Sequence, residues 1–81
     1  MNYIKIYNDL IFRGQNRILE GYKEKHHIVP KCMNGNDESN NLVYLTAAEH
    51  YLAHQLLVKI YPDNRKLIHA VGLMSVSGKT I

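Results

Sequence analysis

One cysteine, two prolines and no apolar run of membrane length set the outer limits of this 81-residue chain. The lone Cys32 has no partner for an intramolecular disulfide, which fits a reducing, intracellular setting. It also excludes a zinc finger with two cysteine ligands. No stretch approaches the ~20 apolar residues of a membrane span, and the N-terminus lacks the apolar core of a secretory signal, so no membrane partner is expected. Internal repeats and low-complexity segments are absent. Acidic residues are the minority, seven against ten Lys and Arg, for a net charge of +3 and a pI near 9.1. That bias permits a polyanionic partner without requiring one. At this length a single domain over 1–81 is expected. Burying roughly 60–65% of its unfolded surface leaves such a chain a small core, which a bound metal would supplement.

What is present is patterned. Tyr3, Ile4, Tyr7, Leu10, Ile11 and Ile18 recur at three- and four-residue spacing, which predicts a helix over about 3–18 that Gly14 weakens by about 1 kcal/mol relative to Ala. Residues 22–29 read as a strand stopped by Pro30, with Tyr22, Glu24, His26 and Ile28 on one face and Lys23, Lys25, His27 and Val29 on the other. Residues 31–40 are turn-rich. Residues 42–45 then form a short second strand, antiparallel to the first. Thr46 and Glu49 have the spacing of a capping box, so a helix starts there and runs to about Tyr61, where Pro62 blocks it. Its face carries His50, Ala53, His54, Leu57 and Tyr61 toward the strands, while Leu56 and Ile60 widen the apolar surface for a further element. A last helix spans about 63–75, capped by Asp63 or Asn64, and residues from Ser75 on read as a frayed polar tail. The six tyrosines read as core.

Four of the five histidines fall between Glu24 and His54. Imidazole is the commonest metal ligand and the side chain that titrates nearest neutral pH. His50 and His54, four apart on one helix face, can reach one cation. The zinc-protease spacing needs a Glu directly after the first His, and Tyr51 stands there instead. A structural site of three histidines with Cys32 stays open. His69 lies outside the pattern and reads as a surface or packing residue. The adjacent His26 and His27 point to opposite sides of their strand and so do not readily share one ion.

Together, His26-His27-Ile28-Val29-Pro30, the turn-rich loop, Asn41-Leu42, and His50 nine residues beyond Asn41 resemble the HNH endonucleases of the ββα-metal (His-Me finger) fold. Within that group the wording is similar to the phage homing endonucleases. The likeness covers about 22–61. Glu24 and His54 are similar to positions in the nuclease colicins. The resemblance implies an α+β fold, a two-stranded antiparallel hairpin and helix flanked by a helix at either end. It implies His26, His50 and His54 as ligands of one divalent cation per chain (Mg²⁺, Mn²⁺, Zn²⁺ or Ni²⁺), and His27 as the general base that deprotonates the attacking water. It implies that Asn41 ties the loop to the strand behind that base. The partner it implies is DNA, cut to 5′-phosphate and 3′-hydroxyl ends in the cytoplasm of a bacterial or phage-infected host cell. One site per chain nicks one strand, and a double-strand break calls for a homodimer or two visits. Lys23, Lys25 and Lys31 flank the site as DNA-binding candidates. Glu24 either orients a neighbouring basic side chain or is a solvated strand residue. Two positions depart from the pattern: Asn34, where the loop often has Gly, and Ala48, where relatives are often basic. The alternative from another class is a metal-stabilised DNA-binding or interaction module without catalysis, including an inactive nuclease remnant.

Overall fold

Asn2 starts the first helix, α1 (Tyr3–Gln15), its Oδ1 accepting from the Lys5 N–H at 3.0 Å. The computed structural model describes residues 1–77, with side chains as far as Met74. α1 buries Tyr7, Leu10, Ile11 and Gly14. It ends three residues earlier than the periodicity predicts. Asn16 closes it, its Nδ2 donating to the Phe12 carbonyl at 2.7 Å, and Ile18 lies beyond the helix at 91% exposed. A side chain that bonds its own helix's last turn stops the helix locally, whatever the next apolar residue offers.

Strands β1 (Glu24–His27) and β2 (Leu42–Leu45) form a two-stranded antiparallel sheet in which His26 faces Val43 and His27 faces Leu42. β1 is shorter than the predicted 22–29, although its backbone pairing continues one residue further, the Ile28 N–H donating to the Asn41 carbonyl at 2.9 Å. Between the strands the chain makes two 3₁₀ turns, Lys31–Met33 and Ser39–Asn41. Asn34 takes up the left-handed conformation at φ 70° that the usual glycine would supply. The adjacent Gly35 packs so tightly that a Cβ would lie 1.7 Å from the Val29 carbonyl oxygen.

α2 (Ala47–Ile60) begins with the expected capping box: Thr46 Oγ1 accepts from the Glu49 N–H at 3.1 Å, and Glu49 Oε1 accepts from the Thr46 N–H at 2.9 Å. α3 (Arg65–Ser77) is capped by Asn64, whose Oδ1 accepts from the N–H groups of Lys66 and Leu67, both at 3.1 Å. α3 extends past the predicted end at about 75, so the tail expected from Ser75 is helical through Ser77, and its remainder lies outside the described residues. The layout is α+β: helix, hairpin, then two helices, with the hairpin and α2 forming a ββα arrangement. No helix among the described residues is long and apolar enough to cross a membrane.

The core joins Tyr7, Leu10 and Ile11 of α1 to Val43 and Leu45 of β2, Ala53, Leu56 and Leu57 of α2, and Leu67 of α3. Leu56 is buried, and α2 packs against both α1 and α3. Tyrosine is where the core expectation fails. Tyr7 is buried, whereas Tyr22, Tyr44 and Tyr61 are exposed, because a phenol can lay its ring on the surface and keep its hydroxyl wet. Gly14 lets α1 lie directly on β2, since a Cβ there would stand 2.7 Å from Val43 Cγ2 and 3.0 Å from Leu45 Cδ2. Gly14→Ala therefore adds about 1 kcal/mol of helix propensity but overpacks by about 1–3 kcal/mol, the stiff Val43 having little room to turn. A net loss of roughly 1 kcal/mol, read as a melting temperature lower by about 4–8 °C, is the expected result.

Candidate metal centre

Strand alternation turns Glu24 and His26 of β1 toward α2, and the helical repeat presents His50 and His54 to them. The three imidazoles form a closed cluster. Ring centroids lie 5.1 Å apart for His26–His50, 5.1 Å for His26–His54 and 4.9 Å for His50–His54. One nitrogen from each lies within 4.8 Å of the other two. Nitrogens sharing a tetrahedral ion at about 2.0–2.1 Å stand roughly 3.4 Å apart, so a movement of under about 1 Å per ring gathers them at one point. Cys32 is exposed and takes no part in the cluster, which leaves the four-ligand structural site without its thiolate.

His26 is 1% exposed, and its Nδ1 has no hydrogen-bond partner; the buried Nδ1 of His54 has none either. An unpartnered buried polar atom is costly, so two of them on clustered imidazoles fit a bound cation. The hydrogen bonds to the outer nitrogens suit the same purpose. Tyr7 Oη lies 2.8 Å from His26 Nε2, and Glu24 Oε1 lies 2.7 Å from His50 Nδ1. A carboxylate on the far nitrogen of a ligating histidine fixes its ring and strengthens its lone pair. Tyr22 donates to the same Glu24 carboxylate.

Burial first, then the neighbouring His54, His50 and His27, push the His26 pKa down to about 3, and burial followed by His50 pushes that of His54 down to about 4. Both rings are therefore neutral at neutral pH, the form that binds metal. Because both folded values lie below the usual 6.5, the unfolded chain holds more protons between them. The contribution of the two histidines to the metal-free protein's stability is fully present above about pH 6.5 and is lost as the pH falls from there to about 4 for His54 and about 3 for His26. The expected slope is up to about 1.4 kcal/mol per pH unit for each histidine, measured by urea unfolding at a series of pH values.

His27 lies on the opposite face of β1, side chain 26% exposed, with its Nε2 2.7 Å from Asp37 Oδ1. Asp37 also pairs with Lys31 at 3.1 Å, and these bonds, that of His27 foremost, hold its carboxyl below the usual range. Asn41, 8% exposed, clasps the chain behind His27. Its Oδ1 accepts from the Val29 N–H at 2.8 Å, and its Nδ2 donates to the carbonyls of Val29 at 3.1 Å and Asn36 at 2.9 Å. Lys25 is exposed on the His27 side, opposite Tyr44, while Lys23 lies 5.3 Å over the Tyr44 ring. His69 is exposed on α3, apart from the cluster.

Three contributors escaped the sequence reading. Tyr7 looked like one more apolar position of α1, and Asp37 like one more turn former. Arg17, just beyond α1, grips both carboxylate oxygens of Glu49, with its Nη1 2.9 Å from Oε2. Glu49, with its pKa pulled down to about 2, chiefly by Arg17, thus fixes the start of α2 one residue before His50. The one available signal was for Tyr7, since a hydroxyl on the inward face of a helix needs a buried partner.

The chain is 64% identical over 63 residues to "Probable mobile endonuclease E" of Enterobacteria phage T4, a match covering 76% of this chain and 45% of that protein. It is 53% identical over 75 residues to "Probable mobile endonuclease D" of the same phage, covering 86% of this chain and 29% of the relative. With "Probable mobile endonuclease B" the identity is 54% over 82 residues, covering 95% and 31%. The chain thus spans less than half the length of each of these relatives. No family model matches it, and no solved structure does.

Proposed function

We infer that residues 1–81 form an HNH-type nuclease domain, a metal-dependent DNA endonuclease of the phage homing kind acting in an infected host cell. The observation that carries this reading is the cluster of buried His26 with half-buried His50 and His54, in which Nδ1 of His26 and of His54 lacks a hydrogen-bond partner, and a fourth imidazole, His27, on the other face of the strand that carries His26. The endonuclease names of the phage relatives support it.

His26, His50 and His54 would hold one divalent cation, and three neutral imidazoles favour the later transition metals. When bound, the cation supplies Lewis-acid neutralisation of the phosphoryl and leaving 3′-oxygens. His27 does the proton work. With its Nε2–H donated to Asp37, its lone pair sits on Nδ1. Nδ1 takes a proton as the water oxygen bonds to phosphorus and the bond to the 3′-oxygen breaks. In-line displacement separates nucleophile from leaving group, and the two faces of β1 separate base from ligands in the same sense. Asn41 keeps the His27 backbone from drifting. Lys25, with Lys23 and Lys31, offers positive charge for the phosphate backbone.

A plasmid-nicking assay across Mg²⁺, Mn²⁺, Ni²⁺ and Zn²⁺ tests the reading. Conversion of supercoiled to open-circular DNA with at least one ion, stopped by a chelator, is expected. Zinc or nickel binding with no cleavage under any ion would favour the non-catalytic module instead.

A further inference from the structure

Tyr7 Oη has one proton and two neighbours. The Ile28 carbonyl, 2.8 Å away, can only accept, so the hydroxyl donates there. Toward His26 Nε2, also at 2.8 Å, Tyr7 can then only accept, and Nε2 must carry the hydrogen. A neutral imidazole protonated on Nε2 has its lone pair on Nδ1. That is the buried nitrogen with no partner. On this basis we propose that Tyr7 is a positioning residue that sets the tautomer of His26, so that Nδ1 is the atom presented to the cation. The proposal rests on the metal-centre reading above.

The opposite tautomer would draw the Tyr7 proton away from the Ile28 carbonyl. That carbonyl belongs to the residue after His27, and the Ile28 N–H is bonded in turn to Asn41. One hydroxyl from α1 thereby fixes a ligand and anchors the strand beside the base. Tyr7 is itself buried, 6% exposed. Glu24 makes the complementary choice at His50, accepting from Nδ1 and leaving Nε2 as the donor atom. The two outer partners therefore specify opposite nitrogens on adjacent ligands.

The test is a long-range ¹H–¹⁵N spectrum of imidazole-labelled, metal-free protein, combined with calorimetric titration by zinc ion alone. The wild type is expected to carry the His26 proton on Nε2. Tyr7→Phe should mix the two tautomers and weaken zinc binding about 10–100-fold. Ile11→Val, which removes one methyl from the same helix, should lower stability while leaving the tautomer and zinc affinity unchanged. A wild-type proton on Nδ1, or a Tyr7→Phe protein with unaltered tautomer and zinc affinity, would overturn the assignment. A wild type that binds no zinc would instead remove the metal-centre reading, with the metal-free spectrum still deciding the role of Tyr7.

Discussion

Replacing His27 with Ala should reduce phosphodiester cleavage by roughly 10²–10⁴-fold, the usual contribution of a positioned general base, while zinc affinity stays close to that of the wild type. The separation follows from placement. His27 shares a strand with His26 but faces Asp37, and it contributes no nitrogen to the three-histidine cluster. Removing its ring leaves His26 packed under Tyr7 and the Asn41 clasp intact, because that clasp uses the backbone of Val29 and Asn36. With its side chain already part-exposed, His27 contributes little packing, so the melting temperature should barely move. Single-turnover cleavage and calorimetry on the same preparation read both quantities. Equal loss of metal and activity would mean that His27 is a ligand and that the division of labour is wrong.

Removing a ligand should have the opposite signature. Zinc at a hundred times its dissociation constant stabilises a one-site protein by about 2.7 kcal/mol. In a chain of this size that raises the melting temperature by roughly 10–20 °C. His54→Ala should forfeit most of this rise, and a chelator should bring wild type and variant close together. The metal-free variant loses little by comparison, since the buried Nδ1 of His54 has no hydrogen-bond partner to give up. If zinc raised the melting temperature of His54→Ala as far as that of the wild type, α2 would be supplying only one ligand.

Short-range features of this fold were legible without coordinates. The Thr46–Glu49 box works within one helical turn, and the period-two pleat alone decides that Glu24 and His26 share a face while His27 does not. The i, i+4 spacing of His50 and His54 is likewise a property of any helix. Features that depended on tertiary contact were not legible. Tyr7 meets His26 across 19 residues, and Asp37 meets His27 only because Asn34 and Gly35 fold the loop back on itself. Gly14 reads as a weakness of α1 in isolation, and its value appears only with Val43 and Leu45 pressed against it. Ile18 and Tyr61 match the apolar period of their helices yet lie exposed, because Asn16 and Pro62 end those helices before the period can be used.

X-ray absorption at the metal edge of the zinc-loaded protein bears most directly on the centre itself. Three imidazole nitrogens at about 2.0–2.1 Å with only oxygen scatterers beside them are expected, unchanged in His27→Ala and reduced to two in His54→Ala. A sulfur shell at about 2.3 Å from Cys32, or a first shell that loses an imidazole when His27 is replaced, would contradict it.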